Sequence, residues 1–514
     1  LGLGVGAGII AAAITFIGGG LGFAGVFADA CHAAGATAAQ CTLTHVFGNL
    51  GDGVRVAAGT LGHIPAVIAA QPRAYDGLLT EAANLPFPDM QWYTPLFAWW
   101  LPQRTILYGF ATALTVLLLV FTALAERSRA LPVFIAAGVL VGVLPLVHAQ
   151  TFIALAIVLV VIALFNLRRE WLVLGGVAGV IALPRLVQIA LAPHGSPAFG
   201  NAYPWLEPGW LSNAVPHTPP RGVLELFGYG VGGGIRSLLS PSWWGFWFIN
   251  LGVAVPLSLA TVMVAALRLV PGATAAFAKR VLSPVPEPLL QLVIAASLVF
   301  LLCNVVVLQS WDWDNTKLFA FWYLAAGLLI AATASWLWRR GVLRRIGASL
   351  LVTMTLLTGV VVLLRFVPWT PPQNAVGGPY TLASADERSL AAALVARTPG
   401  DAVFLTYGRP NDPVLAVAGR TGLLGYYGWL WSYGIDFGTR VTDVQTMYRG
   451  CAQQTDCPVP ALLRKYHVSF VEIDDRADSP GAIEAHVDAA WWSSQGFPVV
   501  ASSQHIVVYD VRRL

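Results

Sequence analysis

Trp311-Asp312-Trp313-Asp314-Asn315-Thr316-Lys317 separates two apolar runs, 289–308 before it and 318–337 after it. Each run is about long enough to cross a ~30 Å hydrocarbon core. The seven residues between them hold two carboxylates, an amide, a hydroxyl and an amine. Charge pressed against a membrane boundary is costly, and it usually marks work on something charged. The same stretch also reads as a polar turn with aromatic interface anchors. Both readings stand on the sequence.

Composition sets the class. The chain is 57% hydrophobic and 11% charged, where soluble domains carry roughly 25% charge. This is the composition of a polytopic membrane protein. The net charge of +4 is small and spread over loops, so it gives no case for nucleic acid. The chain opens at Leu1, inside an apolar run, and is read as lacking its true N-terminus. No basic n-region marks a signal peptide.

Sustained apolarity predicts nine spans: 1–17, 106–125, 131–147, 149–167, 171–192, 243–267, 289–308, 318–337 and 347–366. The connections carrying Arg127 and Arg129, Arg168 and Arg169, Arg268, Lys279 and Arg280, and Arg339, Arg340, Arg344 and Arg345 then share one side. The excess of Arg and Lys makes that side cytoplasmic. The other side receives 18–105, the turn at His148, the loop 193–242, the Asp-Asn-Lys turn and the tail. Cysteines agree. Cys31 and Cys41 are paired candidates in the first outer loop, and Cys451 and Cys457 in the tail, for disulfides in an oxidising compartment. Cys303 is alone inside a span.

The expected organisation is a transmembrane helical domain over 1–366, a Pro/Gly-rich hinge at 367–379, and an extracytoplasmic soluble α/β domain over 380–514. In the tail, 386–397, 460–466 and 482–495 read as helices. Strands are expected at 402–407, 468–473, 499–501 and 505–511, and 414–418 is another short apolar run. The stretch 45–70 reads as helix lying along the interface.

Several polar residues stand where chemistry is possible. The first outer loop carries Asp29 and Asp52. Arg104 follows Leu101-Pro102-Gln103 at the outer start of a span. Its guanidinium suits a phosphate bidentately, or it snorkels at a helix end. His148 sits in the turn Pro145-Leu146-Val147-His148-Ala149-Gln150, either as a hydrogen-bonded turn residue or as a ligand-binding histidine. Arg185, after Pro184, lies within a span, where an ionisable residue is a functional candidate by default. Aromatics beside charge in the loop 193–242, and Gly425-Tyr426-Tyr427-Gly428-Trp429 in the tail, suit sugar rings or plain packing equally. No metal set at helical spacing is present.

The architecture resembles the GT-C membrane glycosyltransferases. The resemblance rests on a polytopic bundle, a C-terminal outer α/β domain, and the outer segments Gly18-Gly19-Gly20-Leu21-Gly22-Phe23, Leu101-Pro102-Gln103-Arg104, Pro145-Leu146-Val147-His148 and Trp313-Asp314-Asn315-Thr316-Lys317. It implies an integral protein of a bacterial plasma membrane that uses a polyprenyl-phosphate-linked sugar outside the cytoplasm. The family's catalytic carboxylate follows its first span, which is read as lying upstream of residue 1. Within the chain Asp29, Asp52 and His148 are the catalytic candidates. For the substrate, Arg104, Arg185 and Lys317 are the phosphate-holding candidates, with Asp312, Asp314 and Asn315 beside them. Asp312 and Asp314 would suit a divalent cation or orient Lys317. The alternative function is a non-catalytic membrane scaffold or accessory subunit whose tail binds a partner, including other membrane proteins.

Overall fold

The computed structural model describes residues 4–41, 50–70, 75, 94–101, 104–126, 130–191, 205–206, 208–209, 235–270, 272–308, 312–364, 383–432, 435–451, 456–476 and 487–514. The chain forms two compact units. The first comprises Leu1–Leu191, Pro204–Leu308 and Asp312–Gly378; the second comprises Ala192–Tyr203, Gln309–Trp311 and Pro379–Leu514.

The first unit is helical. Its helices are α1 (Val5–Ile17), α2 (Phe23–Ala33), α3 (Leu50–Ala70), α4 (Arg104–Ala125), α5 (Ala130–Val147), α6 (Ala149–Phe165), α7 (Glu170–Leu191), α8 (Pro241–Leu251), α9 (Ala254–Leu267), α10 (Ala273–Val281), α11 (Glu287–Cys303), α12 (Phe319–Trp338) and α13 (Val342–Leu364). Among the described residues six helices are long and apolar enough to cross a membrane, or seven if α8 and α9 form one bent span. This corrects the expected nine. Five of the nine are full-length helices, α4, α5, α7, α12 and α13. The 243–267 span breaks by 118° between α8 and α9. The break falls at Gly252, whose φ of 60° is a left-handed conformation that favours glycine. Three others are shorter apolar helices, α1, α6 and α11, of 13, 17 and 17 residues. The sixth long helix is α3, which the sequence reading laid along the interface.

The centre of this unit is α12. Its side chains are buried on all sides, from Phe319 and Tyr323 to Ile330 and Ala334, as expected of a helix that is apolar all round. By contrast α7 turns Leu172, Val180 and Leu183 outward, a surface suited to lipid. The glycine segment after α1 is tied in by its backbone. Gly19 N–H donates to Thr355 O at 2.9 Å, and Leu21 N–H donates to Ile249 O at 2.8 Å. Thr358 Oγ1 donates to Gly20 O at 2.7 Å and accepts from Phe23 N–H at 3.0 Å. These bonds draw the chain against α13 so closely that a Cβ on Gly359 would collide with the Ile17 carbonyl. A disulfide joins Cys31, in α2, to Cys41, with Cα atoms 5.8 Å apart; Cys303 is buried and not disulfide-bonded.

The second unit is a mixed five-stranded sheet with helices. Its strands are β3 (Val403–Leu405), β4 (Thr421–Gly422), β5 (Val468–Asp474), β6 (Val499–Ser502) and β7 (Ile506–Asp510); β1 (Trp205–Leu206) and β2 (Val306–Val307) pair in the first unit. The order is β4-β3-β5-β7-β6. β3 lies parallel to β4 and β5, while β5–β7 and β7–β6 are antiparallel. Both faces are covered, so β5 alternates between two apolar clusters. Phe470 joins Leu390, Leu394 and Phe404 on one face, and Val471 joins Leu405, Tyr448 and Trp492 on the other. Helix α14 (Ala385–Arg397) starts with a reciprocal capping box between Ser384 and Glu387. The apolar run 414–418 is a π-type turn, Pro413–Val417, capped by Asp412. A second disulfide joins Cys451 and Cys457 at a Cα separation of 5.5 Å.

Gly359→Ala is expected to lower stability by ~1–3 kcal/mol, the usual range for overpacking. Gly175→Ala, where a Cβ meets nothing within 4 Å, should leave stability unchanged or raised. Thermal unfolding of the two purified variants decides it, and equal melting points would contradict the threading described.

Candidate functional site

The site begins with how the chain returns after α11. Asn304 follows the helix; its amide donates to Phe300 O at 2.9 Å, and its Oδ1 accepts from Trp247 Nε1 at 3.2 Å. After β2 the chain comes back as a 3-10 helix, Asp312–Leu318, leading into α12. Asn315 fastens this return. Its Nδ2 donates to Cys303 O at 2.9 Å and to Val306 O at 2.8 Å, and its Oδ1 accepts from Leu308 N–H at 3.3 Å. The side chain is fully buried. Asn315 was expected among substrate-binding residues; its amide is bound to the chain's own backbone, at Cys303 O, Val306 O and Leu308 N–H. Two residues on, Lys317 is 7% exposed.

His148 lies in the connection between α5 and α6 and caps α6. Thr151 N–H donates to its Nδ1 at 3.2 Å, and Thr151 Oγ1 lies 2.8 Å from the same atom. An Nδ1 that accepts places the proton of the neutral ring on Nε2. Among the described residues that Nε2 is buried without a partner. Burial, and secondarily the charge of Lys317, lower the His148 pKa to about 4. The ring is therefore neutral near pH 7 and presents a buried N–H donor within the electrostatic reach of an ammonium.

Helix α4 closes on this turn at Gly109, where a Cβ would come within 2.8 Å of His148 Cβ. Arg104 opens the same helix five residues earlier, about 7.5 Å along its axis. The 3-10 helix carrying Lys317 packs against α6 and α11. The backbones of Arg104, His148 and Lys317 thus gather at one end of the bundle. Asp312 and Asp314 lie on the same 3-10 helix as Lys317. The side chains of Arg104, Asp52, Asp312 and Asp314 fall outside the described residues.

Two other candidates lie apart from this group in the interactions they make. Arg185 donates from Nη1 to Gln188 Oε1, on its own helix, at 2.6 Å. Asp29 accepts from Tyr75 Oη at 2.8 Å. No group of three or more His, Cys, Asp or Glu side chains is arranged to hold a metal among the described residues. Thr151, which fixes the tautomer, was missed in the sequence. Its position three residues after a histidine at a helix start was the available signal.

The opposite helix ends are held by arginines. Arg168 donates from Nη1 to Ala123 O at 3.1 Å and from Nη2 to Leu124 O at 3.3 Å, capping α4. Arg345 Nε donates to Trp338 O at 3.0 Å, capping α12. The basic connections and the His148–Lys317 pair therefore occupy opposite ends of these helices.

The second unit contains a separate charged network. β3 and β5 run parallel, and the residues after β3 meet the end of β5. Arg409 contacts Asp474 at 2.8 Å, and Asp412 and Glu472 at 3.4 Å each. Arg476 joins Asp474 at 2.9 Å to Glu387 at 3.0 Å. Asp412, Glu472 and Asp474 are all buried. Burial first, then the neighbouring Asp412, raises the Glu472 carboxyl well above its ordinary value; burial also raises Asp412. Burial of the two carboxyls side by side thus favours keeping a proton on the pair. None of these residues was singled out from the sequence, although Asp412 before Pro413 is a readable helix-start signal.

The chain matches no protein-family model, and no curated protein matches it.

The shared proton has a pH consequence. Unfolded Glu472 titrates near its ordinary value of 4.5, while the folded form keeps its proton to higher pH. Between these values the folded chain binds more protons than the unfolded one, so stability falls as pH rises. Unfolding of the C-terminal unit within the whole protein, followed by limited proteolysis, should become easier as pH rises above the ordinary Glu value of 4.5. Glu472→Gln should flatten that slope; a slope unchanged in the variant would remove the shared proton from the account.

Proposed function

We propose that this chain is a membrane glycosyltransferase that moves a sugar from a polyprenyl-phosphate donor to an acceptor on the extracytoplasmic side. The observation that carries the reading is the buried, unpartnered Nε2–H of His148 beside Lys317. Both groups are donors, and the backbone of Arg104 opens α4 at the same end of the bundle. The unpartnered Nε2–H suits an anion, whose oxygen satisfies it. A phosphate at the level of span ends fits a lipid headgroup.

In glycosyl transfer the acceptor hydroxyl attacks the anomeric carbon. The bond from that carbon to the phosphate oxygen breaks, and its electron pair leaves on the phosphate. Donors aimed at that oxygen bind more strongly as its charge grows, which lowers the barrier. The acceptor proton goes to a carboxylate, which the resemblance locates after the family's first span. His148 acts here as a neutral donor, and Lys317 as the charge.

The orientation follows the basic connections, which lie at the helix ends opposite His148 and Lys317. Disulfides in both units fit an oxidising compartment. The C-terminal domain accordingly belongs outside the cytoplasm.

Charge-assisted bonds contribute ~1.5–3 kcal/mol each. Lys317→Ala should weaken binding of a polyprenyl-phosphate-linked sugar roughly tenfold or more, with little change in folded yield. His148→Ala should weaken it less. Binding to the parent protein should show no histidine transition between about pH 6 and pH 8, because His148 stays neutral there. Normal binding by Lys317→Ala would replace this reading with that of a non-catalytic scaffold.

A further inference from the structure

Helices α1, α12 and α13 leave a cavity of about 660 Å³ between them, within the ~300–1,000 Å³ usual for small-molecule sites. It lies at the end of the bundle that carries the basic connections, far along α12 from Lys317. Its walls are Val5, Ala7 and Ile10 of α1, Ala334 and Trp338 of α12, and Val352 of α13. The surface around it is apolar and exposed: Val5, Val342, Leu343 and Leu350 all point outward. An opening set in such a surface faces hydrocarbon in a bilayer.

The mouth is basic. Arg339 lines the cavity itself, and among the described residues no carboxylate pairs with it. Arg340 lies 4.9 Å over the Trp336 ring, Arg344 lies 5.9 Å from the same ring, and Arg345 lies 5.8 Å over Trp338. Trp338, which lines the cavity, also holds Arg345, at the level where indoles anchor in a membrane interface. Apolar walls beside Arg339 at a basic helix end match one kind of occupant, an acyl chain joined to an anionic headgroup. A zwitterionic lipid would fill the walls equally but leave the arginines without a net counter-charge.

We propose that this cavity is a binding site for an anionic phospholipid of the bilayer. One acyl chain lies between α1, α12 and α13, and the headgroup phosphate sits on Arg339. The site is distinct from the His148–Lys317 pair and does not depend on glycosyl transfer.

The test uses the full chain in nanodiscs of phosphatidylcholine with increasing phosphatidylglycerol, followed by native mass spectrometry. The expected result is one retained phosphatidylglycerol per chain, selected over phosphatidylcholine. Arg339→Gln should weaken that retention about tenfold, and Ser349→Phe, which fills the cavity, should abolish it. Arg268→Gln, whose partner is Glu287 at 2.9 Å, should leave it unchanged. Equal retention of the two lipids overturns the proposal. So does loss in Arg339→Gln without loss in a folded Ser349→Phe, because that outcome means surface charge alone. A phosphatidylglycerol with a photoreactive acyl chain needs no variant. It should cross-link to peptides spanning 334–339 and 348–353, and labelling elsewhere contradicts the site.

Discussion

The amide of Asn315 fastens the turn from which the chain enters the central helix of the helical unit. A chain leaving a helix end exposes carbonyls that must find donors, and inside an apolar bundle no water supplies them. Asn315 gives two N–H donors to the end of α11 and to β2, and takes one from Leu308. The chain can therefore turn sharply and re-emerge as a short 3-10 helix directly against α6 and α11. From that fixed point α12 runs through the middle of the unit. Lys317 and α12 follow in sequence from this fastened residue. An aspartate there would keep the acceptor and lose both donors.

The same economy of polar atoms governs His148. One backbone N–H and one hydroxyl from Thr151 satisfy Nδ1 and leave the other ring nitrogen with a proton and no acceptor. A buried donor without a partner is costly. The turn tolerates it beside a buried ammonium, a combination that core packing alone does not favour. The charged network around Arg409 is the opposite case. There Arg409 and Arg476 pair with four carboxylates, Asp412, Glu472, Asp474 and Glu387, within the sheet domain, so the network reads as structural.

Much of this was legible in the sequence. Apolar runs of about twenty residues located the helices, since length and apolarity alone decide whether a segment suits a membrane. The two cysteine pairs were readable because their spacing is local. In the tail, 468–473 and 505–511 gave β5 and β7, because β-branched residues dominate both. What escaped depends on contacts across hundreds of residues. The break after Leu251 is set by Gly252 at a positive φ, and a hydropathy window averages over one glycine. Asn315 looked like a ligand because it stands among charges; that its amide closes on Cys303 and Val306 depends on the path of the chain. Glu472 sits in a strand whose alternation gives no hint that both faces are covered. The side chains of Arg104, Asp52, Asp312 and Asp314 lie outside the described residues, so their part rests on backbone position and sequence.

The tie between the glycine segment and α13 also sets a timetable. Gly20 O receives its bond from Thr358, 338 residues later, and the Gly19 N–H waits for Thr355 in the same helix. At ~5–20 residues per second, a ribosome needs on the order of 20–70 s to cover that distance. Through that interval the glycine segment stands with these backbone groups unmet by α13. Closing this part of the bundle is therefore a late event that waits for α13. A ribosome stalled, or a chain cut, before α13 would leave an insertion intermediate in place of a smaller version of the finished protein.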